Sequence, residues 1–378
     1  MAKMIRFALT VACTSFILMV VAGGAGISTA SAHCKGKHTG SHPHCVGGDP
    51  GGEDPTADPA LAFTTFSDDG IKLIDVDGSN VNQIFSKKVE RGQWVWSLHW
   101  SPDGSQLAFL ERTDQDGTFT IVNPDGSNPV FNQPNFEGDD LLPQRLFEWR
   151  NVDTAVNGST TRFFFLAAPI GNNSGHSAYW DIYTMQSGSG PVQNAHRLTA
   201  SGTGARITNI AVSPNGKQIA AVYHFDYGNA DPALLLYQLG VGSDGELMII
   251  GTSPITPSTT PSGTFRPYNM RWANTSDTIL YTQENDMFAL DIVNGSHITQ
   301  LEGGAIDLDI GCIRSPVWSP DDSKVAFDVQ CWNKSQEGIR VADIGIEPIT
   351  GELALTNIVQ ITTGIDNLAV IDWVPSWE

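Results

Sequence analysis

A short motif recurs six times along the chain and restricts the possible folds more than any other sequence feature. Each copy is three residues long: an apolar residue, one variable residue, and an aromatic or apolar residue. We expect a turn directly after it. The copies end at Trp100, Trp149, Val212, Trp272, Trp318 and Trp373. The intervals between them, 46 to 63 residues, fit one four-stranded blade and are too short for separate domains.

Each copy predicts the same order of elements: strand, turn, strand, loop, strand, turn, strand. In the second unit, residues 106–110 form an apolar run after the turn at 101–104, and residues 118–122 lead into Asn-Pro-Asp-Gly at 123–126, a hairpin signal. The chain has 38 Gly and 21 Pro, and only 16% of its residues are charged. This composition argues against a helical bundle or a coiled coil.

The two ends of the repeat array are incomplete in complementary ways. Residues 61–66 and 71–76 read as second and third strands without a first strand, and residues 371–373 read as a first strand with nothing after it. Pairing the C-terminal strand with the N-terminal strands removes two open sheet edges. We therefore predict an all-β fold over residues 60–378. It is a six-bladed β-propeller of four-stranded antiparallel blades, closed by this pairing.

The motif also resembles a known family. The pattern apolar-x-Trp-Ser-Pro-Asp-Gly-x-x-apolar-Ala-Phe is similar to the WD40-like repeats of the TolB propeller, the PD40 type, with the nearest matches at 101–109 and 319–327. The copies at Trp149 and Trp272 lack Ser-Pro-Asp-Gly. The resemblance covers the propeller only, because TolB has an extra N-terminal α/β domain and only 27 residues lie between Ala32 and Ala60 here. It implies an exported bacterial propeller of a kind that commonly binds proteins.

Residues 1–32 predict a signal peptide that is cleaved before His33. A short basic start precedes an apolar run at 7–21, and Ala30-Ser31-Ala32 is a small-residue cleavage site. The apolar run is shorter than the roughly 20 residues that a membrane-spanning helix needs. We therefore expect a protein in the periplasm or the extracellular medium, with no membrane span in its mature form.

Four cysteines remain after this cleavage, which permits three pairings. Cys312 and Cys331 flank a predicted hairpin centred between Asp321 and Asp322, so their side chains face each other across adjacent strands if the register is regular. We predict a disulfide there, the alternative being two buried free thiols displaced by a one-residue bulge. By elimination, we predict a second disulfide that joins Cys34 to Cys45.

Residues 33–59 combine this small disulfide loop with a Gly/Pro/Asp linker. The loop carries four histidines: His33, His38, His42 and His44. Imidazoles bind copper and zinc, but the spacing matches no two-plus-two zinc pattern, and oxidised cysteines are not ligands. Two interpretations remain open, a Cu/Zn site and a mobile tail without a cofactor.

Acidic turns raise the question of calcium. The turns that begin at Asp75 and Asp114 resemble the start of a calcium-binding loop, but both lack the Glu expected at the twelfth position. Asp, Asn and Gly are also the residues that hairpin turns require. Both interpretations stay open at this point, and the sequence predicts no other cofactor.

The charge and the motif content exclude several functional classes. A formal net charge of −20 repels nucleic-acid phosphates and anionic lipid headgroups, so we expect neither as a partner. The sequence has no G-x-S-x-G elbow, no H-E-x-x-H motif and no Walker loop.

One set of polar residues suggests a site at the centre of the ring. The position before the last residue of each copy is occupied, around the ring, by Asp372, His99, Glu148, Ala211, Arg271 and Val317. Alternation along a strand separates this position from the apolar residues on either side. We therefore predict that His99, Glu148 and Asp372 line the channel with Arg271 opposite His99. They form either a ligand-binding site or a buried ion-pair network that stabilises the core.

Our first functional hypothesis is a non-enzymatic scaffold that binds an exported or envelope protein or peptide. Variable segments on rigid blades are suited to recognition, and the longest are residues 123–144, 171–178 and 252–267. Phe131 and Phe136 either anchor a partner or pack against their blade. The alternative is a carbohydrate-active or other small-ligand enzyme, a lyase or hydrolase, with His99 as its base.

Overall fold

The structure is a computed structural model, in which the chain divides into two units, Met1–Cys45 and Val46–Glu378. The structure describes part of the second unit. These residues are 61–65, 70–86, 94–112, 116–136, 141–154, 158–169, 180–188, 190, 192–200, 205–225, 232–255, 267–275, 277–283, 286–293, 297–301, 313–330, 337–346, 353–362 and 368–373. The predicted signal peptide, the histidine-rich segment and all the cysteines lie outside them, so the predictions for those residues stay predictions.

The described residues form 25 strands in six sheets, and none of them is helical. The sheets are the six blades of a propeller, which confirms the predicted fold. The strands of the first three blades, from the channel outwards, are β25 (Leu368–Trp373), β1 (Leu61–Thr65), β2 (Gly70–Ile74) and β3 (Asn82–Ser86); β4 (Trp94–Trp100), β5 (Leu107–Arg112), β6 (Gly117–Val122) and β7 (Val130–Asn135), with β11 (Val192–Asn194) added outside; and β8 (Leu141–Thr154), β9 (Gly158–Pro169), β10 (Asp181–Gln186) and β12 (His196–Arg197).

The remaining three blades follow the chain without exchange of strands. Their strands are β13 (Ala205–Val212), β14 (Gln218–Phe225), β15 (Ala233–Val241) and β16 (Leu247–Ile255); β17 (Tyr268–Trp272), β18 (Thr278–Gln283), β19 (Asp286–Asp291) and β20 (His297–Gln300); and β21 (Ile313–Trp318), β22 (Lys324–Val329), β23 (Gly338–Ile346) and β24 (Leu353–Gln360).

The ring closes as the incomplete ends of the repeat array predict. β25 pairs antiparallel with β1, and Leu61 lies opposite Trp373 in this pairing. The indole N–H of Trp373 donates a 3.1 Å hydrogen bond to the carbonyl of Val317 in blade 6. The C-terminal strand is therefore the innermost strand of blade 1 through its backbone pairing, and it contacts blade 6 through the side chain of Trp373.

The core consists of six apolar clusters, one for each pair of neighbouring blades. The aromatic repeat residues lie in these clusters, together with the apolar residues two positions before Trp100, Trp149, Trp272 and Trp373. Between blades 2 and 3, for example, Phe119 stacks on Phe163 with ring centroids 5.1 Å apart, and Trp149 lies 4.9 Å from the same ring. Apolar residues on both faces of each blade thus hold the ring together, since burial removes their surface from water.

The Ser-Pro-Asp-Gly sequence forms a self-contained turn between the first and second strands of a blade. Ser101 donates to Asp103 at 2.6 Å and accepts from the backbone N–H of Gln106 at 2.9 Å. Gly104 has φ of 65°, a left-handed conformation that suits glycine. Blades 4 and 6 repeat these bonds at Ser213 and Ser319.

The two faces of the ring differ in their connections. First-to-second and third-to-fourth turns share one face, which we call the turn face, since strands within a blade are antiparallel. The other connections share the opposite face, the loop face, where the first strand of each blade begins. In all six blades the pairing of the first and second strands shifts register in the half nearer the loop face. Such shifts bend the strand and redirect its side chains.

Two details differ from the sequence-based expectation. Blade 2 has five strands, because β11 leaves blade 3 and pairs in parallel with β7, where Asn135 donates to Asn194 at 3.0 Å. In the hairpin of β21 and β22, the expected register holds at Trp318 but shifts by one residue between Arg314 and Val317. This irregularity lies between the turn and the two cysteines that we expect to pair.

Candidate functional site

The C-terminal strand brings Asp372 to the inner strand of blade 2. Asp372 Oδ2 accepts a 2.9 Å hydrogen bond from the backbone N–H of Trp100 and lies 3.5 Å from Nδ1 of His99. The imidazole of His99 also packs edge-on against Phe147 of blade 3, with centroids 4.9 Å apart. Since a carboxylate can only accept, this arrangement places a proton on Nδ1 of His99.

A second group of channel residues surrounds Glu148. Its two oxygens face Arg150 Nη2 at 2.8 Å and Arg271 Nη1 at 3.1 Å. Arg271 belongs to blade 5, so this ion pair crosses the channel. Arg150 also donates to the carbonyls of Val212 and Trp149. Glu148 is thus compensated by two cations, which a carboxylate with 1% of its side chain exposed requires.

The two groups are electrostatically connected through Arg271. Burial raises the pKa of Asp372, but His99, Arg271 and the N–H of Trp100 together lower it further, so the net pKa lies below the usual value. Asp372 therefore stays ionised at neutral pH. Two carboxylates and two guanidinium groups make the network neutral when His99 is neutral.

Access to these residues is uneven. The side chains of His99 and Glu148 are 3% and 1% exposed, whereas those of Arg271 and Asp372 are 12% and 17% exposed. Nε2 of His99 is buried and bonds to none of the described residues. The channel surface is therefore formed by the guanidinium groups and by Asp372, with the imidazole behind them.

The structure thus brings together all four residues that we predicted for the channel, but in two groups. Asp372 contacts His99, and Arg271, in the blade opposite that of His99, pairs with Glu148. Arg150 was missed, although one sequence signal pointed to it. It occupies the position of the serine in Ser-Pro-Asp-Gly, in a copy that has lost that turn.

The acidic turn at Asp75 is held by local bonds. Asp77 Oδ1 accepts from the N–H of Ser79 at 2.7 Å, and Asp75 Oδ2 accepts from Asn80 Nδ2 at 2.7 Å. The turn at 123–127 has the same backbone bonds, although it begins with Asn123. These carboxylates therefore act as turn acceptors. Among the described residues, no group of three His, Cys, Asp or Glu side chains is arranged to hold a metal. Asp114 lies outside them.

Asp328 is a buried carboxyl group that the sequence-based reasoning missed. It lies near the loop-face end of β22, is 1% exposed, and its Oδ1 bonds to none of the described residues. Burial raises the pKa of Asp328 to about 8, an effect that Glu337 increases and Arg314 opposes. No motif marks it, because it is an ordinary strand position in the repeat.

The two candidate anchors in residues 123–144 behave differently. Phe136 packs against Phe165 and Tyr183, at centroid distances of 6.2 and 5.3 Å. Phe131 is 46% exposed on β7. At the loop face, Tyr268 begins β17 and is 47% exposed. Across the described part of the chain, no helix is long and apolar enough to cross a membrane.

Comparisons with known proteins support the fold. No protein-family model and no curated protein matches the chain. Similar solved structures include TolB from Acinetobacter baumannii, with 15% identity and a TM-score of 0.51 over 84% of this chain and 66% of that one. They also include a nidogen/laminin complex, with 10% identity and a TM-score of 0.50 over 85% of this chain and 100% of that one. Hydrazine synthase from Kuenenia stuttgartiensis has 12% identity and a TM-score of 0.52 over 85% of this chain and 48% of that one. The chain thus spans just under two thirds of the TolB chain. At these identities the likeness concerns the propeller fold alone.

Proposed function

We propose that this chain is an exported, non-enzymatic propeller that binds a protein or peptide at its loop face. The observation that carries this proposal is the burial of the channel's candidate base. His99 is 2% exposed, and its Nε2 is shielded from solvent. A general base must come within hydrogen-bonding distance of the proton that it removes, which this position does not allow without rearrangement.

The loop face supports binding for a different reason. Its connections vary widely in length from blade to blade, while the first-to-second turns of blades 2, 4 and 6 on the opposite face repeat one hydrogen-bonding pattern. Variable segments on a rigid ring are a common arrangement for recognition. Tyr268 is an exposed aromatic at the edge of this face, and tyrosine is enriched among residues that dominate binding energies.

Site-specific photo-crosslinking in the native host tests this proposal. We would replace Tyr268 with p-benzoylphenylalanine in the full chain with its export signal, and Ile250 in a second chain as the control. Ile250 is 65% exposed on the outer strand of blade 4, away from the loop-face ends of the inner strands. We expect one exported protein or peptide to crosslink through position 268 only.

The identified partner is then titrated with two variants. Tyr268→Ala should weaken its binding at least tenfold, and Ile250→Ala should leave it unchanged, because truncating an interface anchor removes a large share of the binding energy. Equal affinities for both variants, or crosslinks from position 250 alone, would contradict binding at the loop face.

One observation favours a second candidate function, an enzyme with His99 as base. Asp372 faces Nδ1 of His99, the arrangement by which a carboxylate orients a catalytic imidazole. A screen of polysaccharide and ester substrates tests it. Turnover that His99→Ala abolishes and His196→Ala leaves intact would support the enzyme and overturn the scaffold, since His196 is exposed on β12.

A further inference from the structure

The first turn of blade 6 contains two aspartates that differ in what they bind. Asp321 accepts from the hydroxyl of Ser319 in its own turn, at 2.7 Å. Asp322 follows at the position that Gly104 occupies in blade 2. The N–H of Asp322 donates to the carbonyl of Ser319 at 2.9 Å, and the N–H of Gly104 donates to the corresponding serine at 2.7 Å. The backbone of Asp322 therefore forms the bond that a glycine forms in blade 2, and its carboxylate is additional.

The backbone conformation at this position favours glycine. Asp322 has φ of 57° and Gly104 has φ of 65°, so both lie in the left-handed region. A residue with a Cβ atom has a conformational penalty there that glycine avoids, although Asp and Asn tolerate the region better than most residues. An aspartate at this position indicates that its side chain compensates for the penalty.

The carboxylate of Asp322 is bound by blade 5. Its Oδ1 accepts from the N–H and the side-chain amide of Asn274, at 2.8 and 3.1 Å. Its Oδ2 accepts from the N–H and the hydroxyl of Thr275, at 2.7 and 2.6 Å. The side-chain amide of Asn274 also donates to the carbonyl of Ser319 at 3.0 Å. Two consecutive residues of the neighbouring blade thus use both oxygens of Asp322.

Blade 5 has no carboxylate of its own at the equivalent place. In blade 2, Asp103 accepts from the N–H and the hydroxyl of Ser105 within one turn, at 3.1 and 2.8 Å. The copy in blade 5 reads Ala-Asn-Thr-Ser at 273–276, so that Thr275 stands where blade 2 has Asp103. Asp322 supplies the missing acceptor from the next blade.

We propose that Asp322, Asn274 and Thr275 form a latch that couples the local opening of blade 5 to that of blade 6. Hydrogen bonds to an ionised acceptor are stronger than those between neutral groups, and four of them converge on this one side chain. Opening of either blade at this turn breaks all four bonds, so the opening free energies of the two blades depend on each other. The inference does not depend on the proposed partner, because the latch lies on the turn face.

Substitution by glycine distinguishes a latch from an ordinary turn residue, because the two predict opposite signs. Asp322→Gly relieves the left-handed backbone but removes the acceptor. We expect the equilibrium constant for folding, measured by urea unfolding, to fall about tenfold, as when hydrogen bonds to a charged group are lost. Asn128→Gly is the matched control and should leave stability equal or higher, since Asn128 has φ of 53° and is exposed. An Asp322→Gly protein that is as stable as the parent, or more stable, overturns the proposal.

A double-mutant cycle tests whether the two blades interact through these residues. Thr275→Val removes one donor at nearly constant shape, and alone it should lower the folding constant about threefold. In the Asp322→Gly background it should cause almost no further loss, because its acceptor is already gone. Additive effects of the two substitutions overturn the direct coupling.

Hydrogen exchange of the parent protein tests the latch without a substitution. Asn274 and Thr275 are exposed, yet their amides should exchange slowly because both donate to Asp322. In the Asp322→Gly protein this protection should fall about tenfold or more, since the opening cost is lost. The amide of Ser105, which donates to Asp103 within its own turn, should keep its protection. Fast exchange of the two blade 5 amides in the parent overturns the proposal.

Exchange in the neighbouring blade measures the coupling itself. Thr275→Val changes blade 5 only, but we expect faster exchange of the N–H of Ser319, which donates to the carbonyl of Lys324 within blade 6 at 2.8 Å. The N–H of Ser213, which donates to Gln218 at the same place in blade 4, is the control and should not change. Unchanged exchange at Ser319, or equal acceleration at Ser213, overturns the proposed coupling.

Discussion

Asp321 and Asp328 lie seven residues apart on one hairpin of blade 6, yet their pKa values move in opposite directions. Asp321 sits in the turn, where the hydroxyl of Ser319 and the N–H and hydroxyl of Ser323 lower its pKa. Asp328 sits near the loop face, where burial raises its pKa to about 8. Within this hairpin, local hydrogen bonds outweigh burial at Asp321, and burial outweighs them at Asp328.

The same contrast holds around the ring. Several polar groups of the turn face bond within a few residues and repeat from blade to blade, as at Ser101, Ser213 and Ser319, although Asp322 accepts from Asn274 and Thr275 of the neighbouring blade. Polar groups of the channel bond between blades and occur once each, as between Glu148 and Arg271. We infer that the turns specify the repeated fold, while the individual character of this protein lies in the channel and at the loop face.

The largest expected effect concerns Asp328. Because the folded state holds this proton more tightly than the unfolded state, stability should fall as pH rises from about 4 to about 8, by about 1.4 kcal/mol per pH unit, and level off above. Asp328→Asn should remove this slope. The measurement is urea unfolding of both proteins from pH 4 to 9. Parallel pH profiles would show that Asp328 is ionised or paired in the folded state.

Loss of Glu148 should have the next largest effect on stability. Glu148→Gln leaves Arg150 and Arg271 without a buried counterion, which we expect to lower the free energy of unfolding by about 3–5 kcal/mol. The matched control is Asp343→Asn, which breaks a more exposed pair with Lys324 and should change stability by less than about 1 kcal/mol. If both variants lost the same free energy of unfolding in chemical denaturation, the channel ion pairs would not be more stabilising than the surface pair.

A single turn should contribute less. Ser319→Ala removes the hydroxyl that bonds to Asp321 and accepts from the N–H of Lys324, so we expect a loss of about 1 kcal/mol at pH 7. Since the pKa of Asp321 is lowered in the folded state, its contribution is present above pH 3.8 and disappears as pH falls through the folded pKa. The deficit of the variant should therefore shrink as pH falls well below 3.8. A loss of stability that is the same at every pH would show that the hydroxyl of Ser319 contributes independently of the carboxylate of Asp321.

The sequence predicted the ring well because its determinants are local and repeated. The aromatic repeat residues, the turn residues and the unpaired ends each restrict only a few neighbouring positions, and six copies reinforce one interpretation. The strand exchange of β11 escaped prediction, since residues 192–194 carry no motif and their parallel partner β7 lies in another blade.

The sequence predicted which residues lie at the channel, but it did not predict which of them contact each other. Strand alternation places His99, Glu148, Arg271 and Asp372 at the channel, but the choice of partner depends on the lengths of side chains that cross it. Arg271 pairs with Glu148. Asp372 accepts a hydrogen bond from the N–H of Trp100 and lies beside His99 of the adjacent blade. Asp328 could not be found from a pattern, because its burial depends on the packing of blade 6 as a whole.

The pairing of β25 with β1 is the central claim about the architecture, and hydrogen exchange tests it most directly. Residues 61–65 and 368–373 pair across a wide separation in sequence, so their amides should exchange as slowly as those of β18 and β22, at the centres of their blades. Truncation before residue 368 should remove the protection of residues 61–65. Fast exchange of residues 61–65 in the intact chain, or unchanged protection after truncation, would contradict a ring closed by its C-terminal strand.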